Sequence, residues 1–268
     1  MSFAPLPKLM VAPNGARRTK ADHPALPIEV EELVATAKAC HAEGAQGIHL
    51  HVRDRDGLHS LDVGQYREVM AAVRDVLPNF FVQVTSEAAG RFGPQQQMEM
   101  IEALKPASVS LALSEVRVGQ DLGALRAFYH GSRDAGVAIH HIAYVPEQLR
   151  TFFEYVDDGI VPGEDHQLQL VLGSYAGTEP SRPSDLDAYT TLIDARPDLH
   201  LDWMICAFGA TETECLVEAA RRGGKMRIGF ENSLWHANGS VAEDNAARVR
   251  ELVSALKAAG QTLSPDDK

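Results

Sequence analysis

The 268-residue chain is short of cysteine: Cys40, Cys206 and Cys215 are all it has, and no two of them show Cys-x-x-Cys spacing. An odd, scattered set argues against a disulfide framework or a cysteine-built zinc site and leaves buried free thiols as the expectation. A basic surplus is also missing, since 25 Lys and Arg face 37 Asp and Glu for a net charge of -12. Without clustered cations the surface is not built to neutralise phosphates, so nucleic acid is not an expected partner. The same balance still permits a local basic pocket for an anionic small ligand. No uncharged apolar run reaches the roughly 18 residues of a spanning helix. The start, Met1-Ser2-Phe3-Ala4-Pro5, lacks the charged and apolar regions of a signal peptide. The expectation is a cytoplasmic protein with no membrane partner. No Pro/Gly/Ser-rich linker divides the chain, and the polar tail Ser264–Lys268 is its one biased segment. A single domain over residues 1–268 is expected.

Apolar or β-branched runs alternate with helical periodicity about eight times, the arithmetic of a (β/α)₈ barrel rather than an open doubly wound sheet. The predicted strands are Leu9–Ala12, Gly47–Arg53, Phe80–Thr85, Ser108–Leu113, Val137–Tyr144, Leu168–Gly173, Leu199–Phe208 and Met226–Phe230, short as buried parallel strands are. The predicted helices are Ile28–Glu43, Leu61–Val76, Gln95–Leu104, Leu122–Ala135, Pro146–Asp157, Pro183–Ala195, Glu212–Arg222 and Ala242–Ala259. In the first of these Val30, Leu33, Val34 and Ala37 form an apolar stripe opposite Glu29, Glu31, Glu32 and Lys38, which marks a core-facing helix. Gly44, Gly136 and Gly260 are placed to stop three helices.

Chemistry concentrates in Gly47-Ile48-His49-Leu50-His51-Val52-Arg53-Asp54. Alternate strand residues share a face, so His49 and His51 lie about 7 Å apart along one side, within reach of a common ion. Imidazole suits zinc, cobalt, nickel or iron, and the alternative is a histidine pair on a solvated strand face. Active sites of such barrels form where the strands end. Those ends carry Thr85, Ser86 and Glu87, then Ser114 and Glu115, and finally Arg227, Glu231 and Asn232. Closure of the barrel leaves only the first strand between the second and the eighth, so Glu231 can join His49 and His51 as a third ligand. Two histidines and a carboxylate leave coordination positions open to substrate.

These segments, together with Asn14-Gly15-Ala16, Pro24-Ala25-Leu26-Pro27-Ile28, Asp56-Gly57, Val171-Leu172-Gly173, Gly223-Gly224 and Arg227-Ile228-Gly229-Phe230-Glu231-Asn232, resemble the β-keto acid cleavage enzymes over nearly the whole chain. The resemblance implies a TIM barrel, a homo-oligomer (dimer or tetramer), and Zn²⁺ held by His49, His51 and Glu231. It implies a reaction in which a β-keto acid and acetyl-CoA give acetoacetate and a new acyl-CoA. A Lewis-acidic ion suits that retro-Claisen chemistry because it stabilises the enolate formed when the α-proton leaves. Arg227 is then expected near the metal carboxylate or the developing charge and Thr85 at the substrate, with Ser86, Glu87 and Ser114 as further contacts.

Three departures from the family pattern stand out. Arg17 replaces an acid that holds a substrate amino group, so charge complementarity favours a second substrate carboxylate, gripped by guanidinium; a solvated loop arginine is the alternative. Asn232 replaces an aspartate that helps remove the α-proton, and an amide cannot be that base, which turns attention to Glu87 or Glu115. Ala207-Phe208-Gly209-Ala210-Thr211-Glu212 lacks the usual basic residue near its glycine, a position implicated in the CoA contact. Of the adjacent His140 and His141 only one can face inward, either as a further ligand or as a hydrogen-bonded core histidine. His59, His166 and His236 are expected to be solvated. Two other functions remain open: a metal-dependent hydrolase, which often adds a lysine on the fourth strand and a histidine on the sixth, and a barrel that binds a ligand without catalysis.

Overall fold

The computed structural model describes residues 3–174 and 180–263. The tail Ser264–Lys268 lies outside the described residues, as do Met1 and Ser2. In chain order the elements are β1 (Leu9–Val11), α1 (Val30–Ala42), β2 (Gly47–Leu50), β3 (Val52–Arg53), β4 (His59–Ser60), α2 (Val63–Val76), β5 (Phe81–Thr85), α3 (Pro94–Leu104), β6 (Ser108–Ala112) and α4 (Leu113–Val116). There follow α5 (Leu122–Asp134), β7 (Ala138–Ala143), α6 (Pro146–Asp157), β8 (Asp165–Leu172), a 3₁₀ turn (Pro183–Asp185), α7 (Leu186–Asp194), β9 (His200–Ala207), α8 (Glu212–Arg221), β10 (Lys225–Ile228) and α9 (Asn245–Ala258). The strands close in the order β1-β10-β9-β8-β7-β6-β5-β2, every pairing parallel. This is the (β/α)₈ barrel expected from the alternation, and only β1 stands between β2 and β10.

Outward side chains such as Ile48, Leu50, Val82, Val84, Val109 and Leu111 join Leu33, Val69, Ile101 and Leu125 of the helices in one apolar layer. Leu6, Met10 and Met204 form a small separate cluster. Between them the barrel holds buried polar residues, Gln83, Ser108, Ser110, His140 and Gln169. This polar interior explains two differences from the apolar-run reading. β8 begins at Asp165 and β10 at Lys225, because residues such as His166 and Gln167 extend the ladder without apolar side chains to announce it.

Helix ends follow local chemistry. The Asp62 and Asp244 carboxylates cap α2 and α9, accepting from Gln65 N and Ala247 N at 2.7 Å each, so both helices start later than their apolar patterns alone suggest. Pro94, which has no N–H to leave unbonded, opens α3 one residue earlier than expected. Gly44, Gly136 and Gly260 all have positive φ just beyond helix ends, as their placement predicted.

Two elements were not expected. Residues 52–60 leave the barrel as an antiparallel β3–β4 pair, with Arg53 opposite His59. Leu113–Val116 forms the short helix α4, so Ser114 and Glu115 sit on that helix instead of closing a strand.

Candidate active site

His49 points into the barrel from β2, and His51 follows at the strand's end; both are buried. The sequence forces Glu231 toward them through Gly229, whose φ is 143°. A Cβ at Gly229 would lie 2.4 Å from the carbonyl oxygen of Ala12, so only glycine lets the chain press against β1 there. Glu231 N then donates to that same Ala12 oxygen at 3.1 Å. The result is a cluster in which one ligand atom each of His49, His51 and Glu231 lies within 4.8 Å of the others. His49 Nε2 is 3.1 Å from His51 Nε2, and Glu231 Oε2 is 3.6 Å and 3.4 Å from these two nitrogens. Among the described residues it is the one group of His, Cys, Asp and Glu with this spacing.

The hydrogen bonds around His49 test whether the cluster fits a metal. Gln83 Nε2 donates to Ser108 Oγ at 3.0 Å and approaches His140 Nδ1 at 2.9 Å. The other end of that amide, Oε1, therefore faces His49 Nδ1 at 2.9 Å and must accept its proton. A neutral His49 so held presents the lone pair of Nε2 to the cluster, the arrangement a metal-ligating histidine needs. Burial, against the pull of Glu231, holds the His49 imidazole well below its ordinary pKa, so it is neutral at pH 7. Burial alone would push the Glu231 carboxyl up, but the Arg227 guanidinium, the largest opposing influence, helps hold it well below the usual range. His49 thus offers neutral nitrogen and Glu231 anionic oxygen, donors that suit a divalent transition metal.

Arg227 is buried, with Nη2 3.0 Å from Glu231 Oε1 and 3.3 Å from Cys206 Sγ. All three cysteines are buried, free thiols, and burial pushes the Cys206 thiol up to about 11 despite Arg227, which keeps it protonated at neutral pH. Thr85 lies on the cavity wall, its hydroxyl accepting from Ser110 Oγ at 3.0 Å and from Glu87 N at 3.1 Å. With both lone pairs engaged, its proton is available to an oxygen in the cavity.

The cavity above the cluster has a volume of about 410 Å³ and is bordered by Arg17, Thr85, Glu87, Glu115, Asn232 and Arg227. Glu87 lies 3.8 Å from Arg17 Nη2 and 4.0 Å from His51 Nδ1. Burial, with help from Glu231 and Glu115, raises its pKa against the opposing charges of His51 and Arg17. Glu115 Oε2 accepts from Ala88 N at 3.0 Å and Gln97 Nε2 at 2.9 Å, which anchors the loop after β5. Asn232 is buried in the cavity wall with Oδ1 lacking a protein hydrogen-bond partner.

Two expected contacts are placed elsewhere. Ser86 donates to Ser110 O at 2.9 Å, and Ser114 borders a separate groove with Arg117 and Gln148; the short helix α4 turns it away. Of the β7 histidines, His140 is the inward one and reaches Gln83 rather than the ligand cluster, while His141 packs on Tyr129 and Phe152. The expectation of solvated histidines fails for His59 and His166, which are buried. His59 is tucked beneath His51, with Nδ1 3.4 Å from His51 Nδ1 and Nε2 3.0 Å from Glu87 O. His166 packs against Phe152 and His141. His236 bonds Glu251 Oε2 at 2.9 Å. The outward-polar Asp-Arg-Asp-Gly turn hid His59: periodicity does not show that the chain doubles back.

A buried bis-histidine carboxylate cluster at the C-terminal mouth of a closed parallel barrel defines a class, the (β/α)₈ proteins with a metal-compatible catalytic centre. The profile of the beta-keto acid cleavage enzymes matches residues 8–267, and the chain belongs to that family. It is 24% identical over 260 residues to the 3-keto-5-aminohexanoate cleavage enzyme of Fusobacterium nucleatum subsp. nucleatum, covering 95% of this chain and 92% of the relative. It is 26% identical over 267 residues to the 3-oxoadipate:acetyl-CoA acetyltransferase of Cupriavidus necator, covering 96% and 90%. Among solved structures it is similar to apo ObcA, with a TM-score of 0.69 at 14% identity over 90% of this chain. It spans 64% of the ObcA chain, and that likeness is one of fold.

Proposed function

We propose that this enzyme cleaves a β-keto acid with acetyl-CoA, giving acetoacetate and a new acyl-CoA, at a zinc centre held by His49, His51 and Glu231. The observation that carries this reading is the cluster itself, buried beneath a cavity of about 410 Å³ in a chain of this family. Zinc is favoured by the two-histidine, one-carboxylate donor set, which cobalt, nickel and iron also accept. When bound, the ion would supply Lewis acidity toward the keto oxygen of the substrate.

The remaining work falls to side chains. Arg227 holds Glu231 ionised and oriented, and Thr85 donates its hydroxyl proton to a substrate oxygen. Glu87 is the better placed general base, because Glu115 is committed to Ala88 N and Gln97 whereas Glu87 has a raised pKa inside the cavity, and a base works best near the operating pH. It takes the α-proton; the resulting carbanion attacks the acetyl thioester carbonyl and expels CoA thiolate, the thiolate adds to the original keto carbon, and the old carbon–carbon bond breaks to give the new acyl-CoA and an acetoacetate carbanion that recovers the proton from Glu87. Asn232 offers Oδ1 as an acceptor beside the reacting atoms.

Arg17, half exposed at 55% of its side chain, supports a substrate with a second carboxylate. The Cupriavidus relative is named for 3-oxoadipate, a β-keto dicarboxylate. The hydrolase reading loses support: β6 carries no lysine, and although β8 includes His166, that residue is packed on Phe152. Among the described residues no helix is long and apolar enough to cross a membrane. The free thiols suit a cytoplasmic setting, and a homo-oligomer is expected from the family. The test is incubation of metal-loaded protein with acetyl-CoA and a β-keto acid panel, reading acyl-CoA masses. A new acyl-CoA, formed best from dicarboxylates, is expected; metal without acyl exchange would favour a ligand-binding role.

A further inference from the structure

Among the described residues no side-chain amide stands behind His51, so it is not oriented in the way His49 is. Its Nδ1 faces two groups: the Glu87 carboxylate at 4.0 Å, beyond hydrogen-bond distance, and His59 Nδ1 at 3.4 Å. His59 Nε2 lies 3.0 Å from the carbonyl oxygen of Glu87. A carbonyl oxygen only accepts, so His59 must carry its proton on Nε2, and its Nδ1 is then a lone pair. That lone pair can meet His51 Nδ1 only if His51 bears the proton there, which leaves His51 Nε2 as the lone pair turned toward His49 and Glu231. The relay runs His51 to His59 to Glu87 O, and each donor and acceptor in it has one consistent assignment.

We propose that His59 is a positioning residue that fixes the tautomer and ring orientation of His51 and thereby sets the metal affinity of the site. This inference rests on the reading of His49, His51 and Glu231 as metal ligands. The hairpin that carries His59 is built to hold it. Arg53, opposite His59 on β3, bonds the carbonyl oxygens of Gly57, Gly15 and Arg18. Arg91 bonds His59 O and reaches Asp54 Oδ2 at 3.0 Å, and Phe92 packs edge-on against the His59 ring at 5.9 Å. His59 is buried. An imidazole is a weaker acceptor than a carboxylate, so His51 keeps less anionic character than it would in a carboxylate-backed site, which would leave a bound ion the more electrophilic.

The experiment compares wild type with His59→Phe, which keeps a ring but neither nitrogen, and His59→Gln, which keeps an acceptor and a donor. Zinc affinity is measured for each by competition with a chromophoric chelator. The expected result is a loss of roughly 10- to 100-fold in His59→Phe, the scale of lost outer-sphere partners, with most of it restored in His59→Gln. Equal affinity in wild type and His59→Phe, or equal losses in both variants, would overturn the inference while leaving the metal site intact. A wild type that takes up no zinc would overturn the metal reading and this inference with it. A second readout needs no variant. Long-range ¹⁵N–¹H correlation on the zinc-loaded protein should show His59 as the Nε2–H tautomer and His51 as Nδ1–H, and the opposite tautomer of His59 would contradict the relay.

Discussion

The two sides of the cavity differ in kind. On the side of β2, β5 and β10 stand His49, Glu87, Arg227 and Glu231; on the side of β7, β8 and β9 stand Ile142, Val171, Cys206 and Phe208. The first arc is ionic and stitched by hydrogen bonds through Gln83 and His59, whereas the second is mainly a contact surface. On the proposed mechanism, bond-making groups and the groups that meet the substrate's variable part would be carried by different strands. A change in the ionic arc should propagate through its network, because buried polar groups left without partners are costly. A change in the apolar arc should stay local.

The largest effect is expected from Glu231→Gln in the ionic arc. It removes the anionic ligand and leaves Arg227 buried beside a neutral amide, so metal content should vanish and turnover fall by at least about 1000-fold, a barrier increase of roughly 4 kcal/mol; elemental analysis and acyl-CoA mass spectrometry check both. Next comes the base. Glu87→Gln should lower kcat by about 100- to 10,000-fold with metal retained, and a larger loss in Glu115→Gln would transfer the role to Glu115. Phe208→Ala, in the apolar arc, should keep metal and change relative kcat/KM between substrates differing in one methylene by about 10-fold. Loss of metal in that variant would erase the distinction between the arcs.

The smallest expected effect concerns a buried histidine outside both arcs. Burial lowers the His166 pKa from 6.5 to about 4, so between those values the unfolded chain binds more protons than the folded one. Stability from this group is present above pH 6.5 and is lost as pH falls toward 4, by about 1.4 kcal/mol per pH unit at most. His166→Gln should flatten the decline of the urea midpoint across that window relative to wild type, and an unchanged slope would show that His166 does not contribute.

Much of this arrangement is legible in the sequence. Alternation of Ile48 and Leu50 with His49 and His51 gives both the strand and its inward face, and the distance of Glu231 along the chain is removed by barrel closure. Hairpins and second contacts are harder to read. His59 follows a turn whose reversal depends on Asp54 accepting from Asp56 N and Leu58 N, a local event that places a polar residue under the metal cluster. Ser114 was misplaced because Leu113 extends an apolar run although the ladder ends at Ala112. Gln83 carried no signal, since a glutamine inside a strand reads as polar wherever it points.

Elemental analysis of purified wild type beside His49→Ala asks whether His49, His51 and Glu231 hold a catalytic metal. Wild type is expected to carry about one divalent transition-metal ion per chain, the count of a single mononuclear site, and the variant to lose it. A wild type without stoichiometric metal, or a His49→Ala protein that retains it, would show that these residues are not metal ligands.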